Sequence, residues 1–507
     1  MSHMANTYFI GRKKEVSIIE KYYQSPKSEL VAVYGRRRVG KTFLIKETLK
    51  NRFDFEFTGM NETPAKIQRR HFQNTINALT GKDSKVPADW YEAFDHLKDF
   101  LLSLSKEKVV VFLDELPWMD TVNSNFISAL SEFWNTWESS KSIIKLYVCG
   151  SATTWMVDKL IGDHGGLYGR VSRPLYLAPF SLYETEQYLN VVKKMNYSRM
   201  QILDAYMIFG GIPYYLDMLD KDLPLSVNID ELFFANDAPL RPEYAFLFRS
   251  LFRQSEKYRK VVELVATKLS GLTREEISKG CNLDGKDLTT ILNNLNYCDF
   301  IRVYSYPQKK EKDKIYQLTD MFTLFYLRFV HTNPGADKNF WSYSIQTGEV
   351  NAWMGYAFEQ ACLHHIDQIK HKLGISGVLC NVYAWHSKPF TDADGNSWSG
   401  GQIDLIIDRA DNVMNLCEIK YSHGEYTITK DYAERIQERI NLFKIQLKTR
   451  KALRCTFITA QGVKSNKYNY IVDNEIIADD LFSTATLYHY FGLLRDYGRK
   501  SCQEIPL

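Results

Sequence analysis

Along the chain, apolar and polar positions repeat with two different periods. Between residues 28 and 180, short runs rich in β-branched and aromatic residues (ELVAVY, DFEFTG, KVVVFLDE, IKLYVCGS, RPLYLAP) are separated by stretches of helical period such as KTFLIKETL. Unbroken apolar strands divided by helices are buried on both faces, which predicts a parallel α/β sheet covered on each side. From residue 181 to about 237 the strand signal stops. SLYETEQYLNVV and RMQILDAYMIF keep helical period up to GGIP, predicting a small helical lid. Residues 256–320 read as three helices followed by two strands, FIRVYSY and IYQL, around the Lys-rich turn PQKKEKDK. The aromatic-rich stretch 321–347, broken at TNPGAD, reads as a connector whose rings pack in a core. Beyond it lies a second αβ unit, with strands NVYAWHS, QIDLIID, MNLCEIK and CTFITA between helices around YAFEQACLHHIDQI and DYAERIQERINLFKI. The expected domains are 4–180, 181–242, 243–347 and 348–507.

Length supports this division, because 507 residues exceed what one core usually holds. Lys plus Arg number 64 against 60 Asp plus Glu, so a nucleic-acid surface, if there is one, must be local. The eight cysteines form no C-x-x-C pair, which points away from zinc and towards reduced thiols in a cytoplasmic protein. No stretch has the roughly 18 continuous apolar residues of a membrane span, and the start, MSHMAN, lacks an apolar signal core. Met1–His3 reads as a tag remnant before Met4.

Gly35–Thr42, GRRRVGKT, follows a predicted strand and opens a predicted helix, the context a phosphate-binding P-loop requires. Its backbone N–H groups, from Gly35, Arg36, Arg37, Arg38, Val39 and Gly40 through to Phe43, would turn towards phosphate oxygens at a helix N-terminus. Lys41 would reach the β- and γ-phosphates and Thr42 would hold Mg²⁺. KVVVFLDE ends on Asp114, suited to the magnesium side, and Glu115, suited to orienting an attacking water. A solvated strand end is the plain alternative for that pair.

These motifs resemble the AAA-type and STAND-type prokaryotic ATPases over about Tyr8–Tyr215. The resemblance implies ATP or ADP with Mg²⁺. IGRKKE is similar to the family's entry motif, which puts Ile10, Gly11 and Arg12 at the adenine. IKLYVCGSAT resembles its sensor strand, with Ser151 near the γ-phosphate and Thr153 as competitor. LYGR resembles the loop carrying an arginine finger, making Arg170 the candidate ahead of Arg173; a finger acting in trans implies a homo-oligomer. GGIPYYL resembles the lid motif, with Pro213 near the base, although a helix-breaking turn explains it as well.

The 256–320 pattern has the plan of a winged helix. Thr289, Asn293 and Asn294 stand at plausible base-reading positions, and Lys309, Lys310, Lys312 and Lys314 at phosphate-reaching ones. Packing between domains is the alternative role.

In MNLCEIK the period of two places Glu418 and Lys420 on one face with Ile419 turned into the core, and Asp404 sits on the adjacent strand. Two hard carboxylates suit Mg²⁺, and the ammonium suits a charged phosphorane or hydroxide. The constellation resembles the PD-(D/E)XK, or restriction-endonuclease-like, fold over about Gly348–Ala460, which implies Glu359 on the preceding helix as a further acid. Ile403 stands where the motif's proline would be. His364, His365 and His386 are lesser candidates, with surface positions expected. The whole order resembles prokaryotic ATPases with a nuclease-like C-terminal domain. The expected fold class is therefore α/β, comprising a P-loop parallel-sheet ATPase domain with helical lid, a winged helix and a restriction-endonuclease-like domain. The expected function is ATP-dependent control of a DNA nuclease. The rivals are a nucleotide-dependent DNA-binding switch with an inactive nuclease fold and an ADP-holding structural protein.

Overall fold

In the computed structural model the described residues are 10–484, apart from 138–141, 163–166, 168, 253, 284, 305–313, 336, 392–394 and 396. The first sheet contains β1 (Glu29–Tyr34), β2 (Phe55–Thr58), β3 (Lys108–Asp114), β4 (Ile143–Gly150) and β5 (Arg173–Tyr176), all parallel, in the order β2-β3-β4-β1-β5. Almost every residue of β1, β3 and β4 is buried because helices cover both faces. Pro174, which has no N–H to give a ladder, sits on the edge strand β5. In that order β1 lies between β4 and the edge strand β5, so its carboxyl end opens beside that of β4 at the switch point where such sheets bind ligands.

The lid follows as helices Leu182–Glu186 and Arg199–Phe209, each started by a serine capping box, and Pro213–Asp217. At Gly211 φ is +66° and a Cβ would lie 2.2 Å from the Phe180 carbonyl oxygen, so only glycine lets lid and sheet meet there. Helices over Leu225–Phe233 and Glu243–Leu251 come next, the second lying beyond the lid expected from the sequence.

The middle domain has helices Ser255–Ala266, Arg274–Cys281 and Gly285–Tyr297. They pack with β6 (Leu272–Thr273), β7 (Ile301–Tyr304) and β8 (Ile315–Leu318), an antiparallel sheet of order β6-β8-β7. Three helices and the hairpin match expectation; β6 is an addition. The connector's rings, including Phe325, Phe329 and Trp341, pack with Trp353 in the core.

The last unit begins with helices Gly348–His364 and Ile366–Lys372. Its strands are β9 (Cys380–Ser387), the short pair β10 (Phe390–Thr391) and β11 (Ser397–Trp398), β12 (Gly401–Arg409), β13 (Val413–Lys420), β14 (Ala452–Thr459) and β15 (Asn474–Ile477). The main sheet runs β15-β14-β13-β12-β9, antiparallel from β9 to β13 and parallel from β13 to β15. The Lys430–Leu447 helix is the crossover between β13 and β14. No described helix is long and apolar enough to cross a membrane.

Candidate functional site

Two sites emerge, one on each large sheet. The first is a cavity of about 930 Å³ lined by Ile10 and Arg12 from the entry segment, Arg37–Leu44 from the P-loop and its helix, Glu115, Ser151 and the lid residue Pro213. Gly35 has φ +144°, and a Cβ there would meet the Leu177 carbonyl oxygen at 2.4 Å, so this turn admits no side chain. Lys41 is buried, and its Nζ donates to the carbonyls of Gly35 (3.0 Å) and Arg36 (2.9 Å), in reach of the loop that would cradle phosphate. Burial lowers its pKa, while Glu115 pulls it back up. Thr42 Oγ1 donates to Asp114 at 3.0–3.1 Å. That pair of hard oxygens fits Mg²⁺.

Glu115 takes a left-handed φ of 47°, uncommon for a non-glycine residue. Its carboxylate accepts from the Ser151 backbone N–H at 3.0 Å and from the Ser151 hydroxyl. Of the two sensor candidates, Ser151 therefore reaches the cavity, whereas Thr153 is buried outside its lining. Arg12 is buried beside the cavity, donating to the Ala178 carbonyl at 2.6 Å and lying 4.9 Å from the Phe180 ring. Gly11, next to it, packs against Glu184. Phe43 is partly exposed at the cavity wall.

Two arginines of the loop have side chains tied to other parts of the chain. The Arg36 side chain points away from the cavity and is 2% exposed, paired with Asp320 of the middle domain through both Nη atoms. Only its backbone belongs to the loop. Arg38, at φ 71°, lines the cavity but pairs with Glu243 at 2.9 Å and stacks 3.8 Å from the Tyr214 ring. Arg170 is exposed and outside the cavity lining, so within one chain it is not part of the site. Sequence reasoning missed the aromatic walls Trp118, Phe180, Tyr188 and Tyr214, of which only Trp118 and Tyr214 carried a signal, their closeness to Glu115 and GGIP.

The second site is a cleft of about 900 Å³ between the middle and last domains, lined by Glu359, Asp404, Lys420, His386 and, across it, Thr273 and Tyr304. Glu418 and Lys420 share a face, 2.8 Å apart, and Ile419 is buried on the other, as the strand period predicts. Glu418 does not line the cleft. Its carboxylate is held by Lys420, by Arg439 Nη1 at 2.6 Å and by the Tyr432 hydroxyl. Among the described residues no three His, Cys, Asp or Glu side chains converge as a ready metal cage. Burial raises the Glu359 pKa to about 8, with Asp404 pushing the same way and Arg302 opposing. Burial and Glu418 raise that of Asp404. Two carboxylates that resist ionising together are a donor set that a cation would relieve, and Mg²⁺ needs only one or two.

Asn294 is buried and donates to the Tyr258 hydroxyl at 2.6 Å, so it cannot read a base, whereas Thr289 and Asn293 are exposed. Lys309, Lys310 and Lys312 lie outside the described residues; Lys314 is half-buried. His364 is exposed, but His365, expected at the surface, is buried. Its Nδ1 donates to the Ala361 carbonyl and its Nε2 accepts from the Leu182 N–H at 2.9 Å.

The parallel sheet, its P-loop and the carboxylates at the end of β3 define an ATP-binding P-loop ATPase domain. Residues 9–219 match the model of a family described as an ATPase domain predominantly from Archaea. An uncharacterized protein of Methanocaldococcus jannaschii is 25% identical over 417 residues, 82% of this chain and 87% of that protein. An uncharacterized ATP-binding protein of the same organism is 48% identical over 44 residues, 9% of this chain and 75% of that one. The Walker-type ATPase of Pyrococcus abyssi matches at a TM-score of 0.43 and 18% identity, covering 63% of this chain and 96% of the other.

Proposed function

We propose that ATP binding and slow hydrolysis in the N-terminal domain control a C-terminal Mg²⁺-dependent phosphodiesterase acting on DNA. The observation that carries this reading is the meeting of Glu359, Asp404 and Lys420 in one cleft, on a domain whose helices and main strands follow one another along the chain as the resemblance to PD-(D/E)XK domains implies. Glu359 and Asp404 would hold the divalent cation, with Glu418 as a reserve ligand if Lys420 or Arg439 releases it. When bound, such an ion activates water and neutralises charge on a scissile phosphate. Lys420, at the cleft wall, supplies a cation to the attacked phosphate.

In the ATPase site, Thr42 and Asp114 would hold Mg²⁺, and Glu115, tethered by Ser151, would orient the attacking water. Pro213 and Ile10 would flank the base. Arg170 would act as finger only on a neighbouring copy, which makes oligomerisation part of this reading. The middle domain follows the winged-helix order, and its exposed Thr289 and Asn293 would face DNA.

A Mg²⁺- or Mn²⁺-supported cleavage assay on labelled DNA tests the assignment. Asp404→Ala and Lys420→Ala are each expected to lower the rate by about a hundredfold or more; cleavage unaffected by either change would refute the site. Glu115→Gln is expected to lower ATP turnover by about a hundredfold while keeping nucleotide affinity; parental turnover in that variant would remove Glu115 from the mechanism. The engagement of Glu418 by three partners favours one second reading, a nucleotide-dependent DNA-binding regulator with an inactive nuclease fold. That reading predicts DNA binding with no cleavage in either metal.

A further inference from the structure

Gln360, next to Glu359 on the Gly348–His364 helix, has no solvent exposure. Its Oε1 accepts a hydrogen bond from Arg302 Nη2 at 3.0 Å, and its Nε2 has no partner. Arg302 belongs to another domain, on β7, and its charge acts on Glu359 against the effect of burial. Two residues earlier, the Phe300 ring lies 5.1 Å from the guanidinium of Arg36. Arg36 is fixed by Asp320, which also caps the Met321–Phe325 helix through the Thr323 N–H at 2.8 Å. Arg36 and Arg302 line one cavity of about 350 Å³. A chain of direct contacts thus runs from the P-loop to the helix that carries the cleft's buried acid.

That chain begins at a group that nucleotide must disturb. The Arg36 carbonyl is one of the two acceptors holding Lys41, and Lys41 must leave it to reach a phosphate. The Arg36 side chain, closed in by Asp320 and Phe300, cannot absorb a change of its own backbone by swinging freely in solvent. Resting on the proposed function, we infer that Arg302 is a positioning residue of the C-terminal site, supplied by the middle domain, and that Arg36 ties its placement to the nucleotide state of the P-loop. Loss of the guanidinium would leave the Gln360 amide buried without a side-chain partner and Glu359 without its cross-domain cation. The helix would then hold its acid in the same place whether nucleotide is bound or not.

The test uses the full chain and amide hydrogen exchange across residues 348–364, with and without a non-hydrolysable ATP analogue and Mg²⁺. In the parent, nucleotide is expected to change exchange around Gln360 by about fivefold or more, the lower end of ordinary coupling. Arg302→Gln is expected to abolish that response while leaving analogue affinity unchanged, and Arg302→Lys, which keeps a donor and the charge, to restore part of it. Asp320→Asn, which loosens Arg36, is expected to weaken the response even if the Arg302 variants fold poorly. A parent that shows no response, or Arg302→Gln and Asp320→Asn both responding like the parent, overturns the inference. Cleavage of a labelled oligonucleotide with Mn²⁺ is followed in the same samples. Cleavage without an exchange response leaves the proposed function standing and removes the coupling; an exchange response without cleavage does the reverse.

Discussion

Glu418 and Glu359 belong to one domain, and burial disfavours ionisation of both, yet their acidities move in opposite directions. For Glu418 the cations Lys420 and Arg439 more than offset burial, and its pKa falls below the usual carboxylate range. For Glu359 burial and the neighbouring Asp404 outweigh the opposition of Arg302 and Lys420, and its pKa rises to about 8. Removing one partner of a buried pair strands the others, so Glu418→Ala is expected to cost about 3 kcal/mol. Glu359→Gln takes away an acid that is mostly protonated at neutral pH, and is expected to leave stability nearly unchanged while abolishing cleavage. Thermal midpoints of the two variants measured side by side check the contrast; equal losses would count against it. The sequence period made the shared face of Glu418 and Lys420 legible, because strand side chains alternate. Arg439 and Tyr432 were not legible as its partners. They come from the next helix, and which turn of a crossover helix meets which strand residue depends on packing rather than local pattern.

Among the elements, those with strong periodicity or a required turn were readable: β1, β3, β4, the P-loop and the helices before and after β12 and β13. Elements defined by distant partners were not. β6 is two residues long and exists through pairing with β8, more than forty positions away. The Glu243–Leu251 helix follows prolines that read as loop, although Pro242 is tolerated just before a helix starts. Gly211 gives a prediction at this scale. Gly211→Ala places a Cβ against the Phe180 carbonyl at a left-handed φ, which should displace Pro213 and Phe180 from the nucleotide cavity. Nucleotide affinity is expected to fall by about tenfold, or about 1.4 kcal/mol, within the roughly 1–3 kcal/mol of strain such positions carry. Titration with a fluorescent ATP analogue measures this, and parental affinity would show that the lid absorbs the change.

Across the whole molecule, one apolar core continues from the helix packed on β1, through the lid and the middle domain, to the inner face of the last sheet. The boundaries at 180, 242 and 347 mark changes of pattern in the sequence but not breaks in packing. Polar pins cross the same boundaries. His365 accepts from the lid's Leu182 N–H, and burial depresses its pKa from 6.5 to about 4. Protonation would turn that acceptor into a donor. Its contribution is therefore fully present above pH 6.5 and lost as pH falls through about 4, a change of roughly 3 kcal/mol. Asp204 accepts from the Tyr421 hydroxyl at 2.9 Å, yet burial outweighs that hydrogen bond and raises its pKa to about 6, so its contribution to stability has the opposite slope, fully present below pH 3.8 and lost as pH rises through 6. His365→Gln is expected to remove most of the acid-side loss of thermal stability between pH 6.5 and 4, as read by midpoints across that range; an unchanged slope would assign the loss to other groups.

The placement of Arg36 has a consequence for dissecting the protein. A fragment ending near residue 219 would keep the whole phosphate-binding motif but lose Asp320, Phe300 and Glu243, the partners of two of its arginines. The severed surface would present a bare guanidinium within a broad greasy patch, a combination that promotes clumping. A catalytic module that looks autonomous in its letters is, in its chemistry, a half-built object that the rest of the chain finishes.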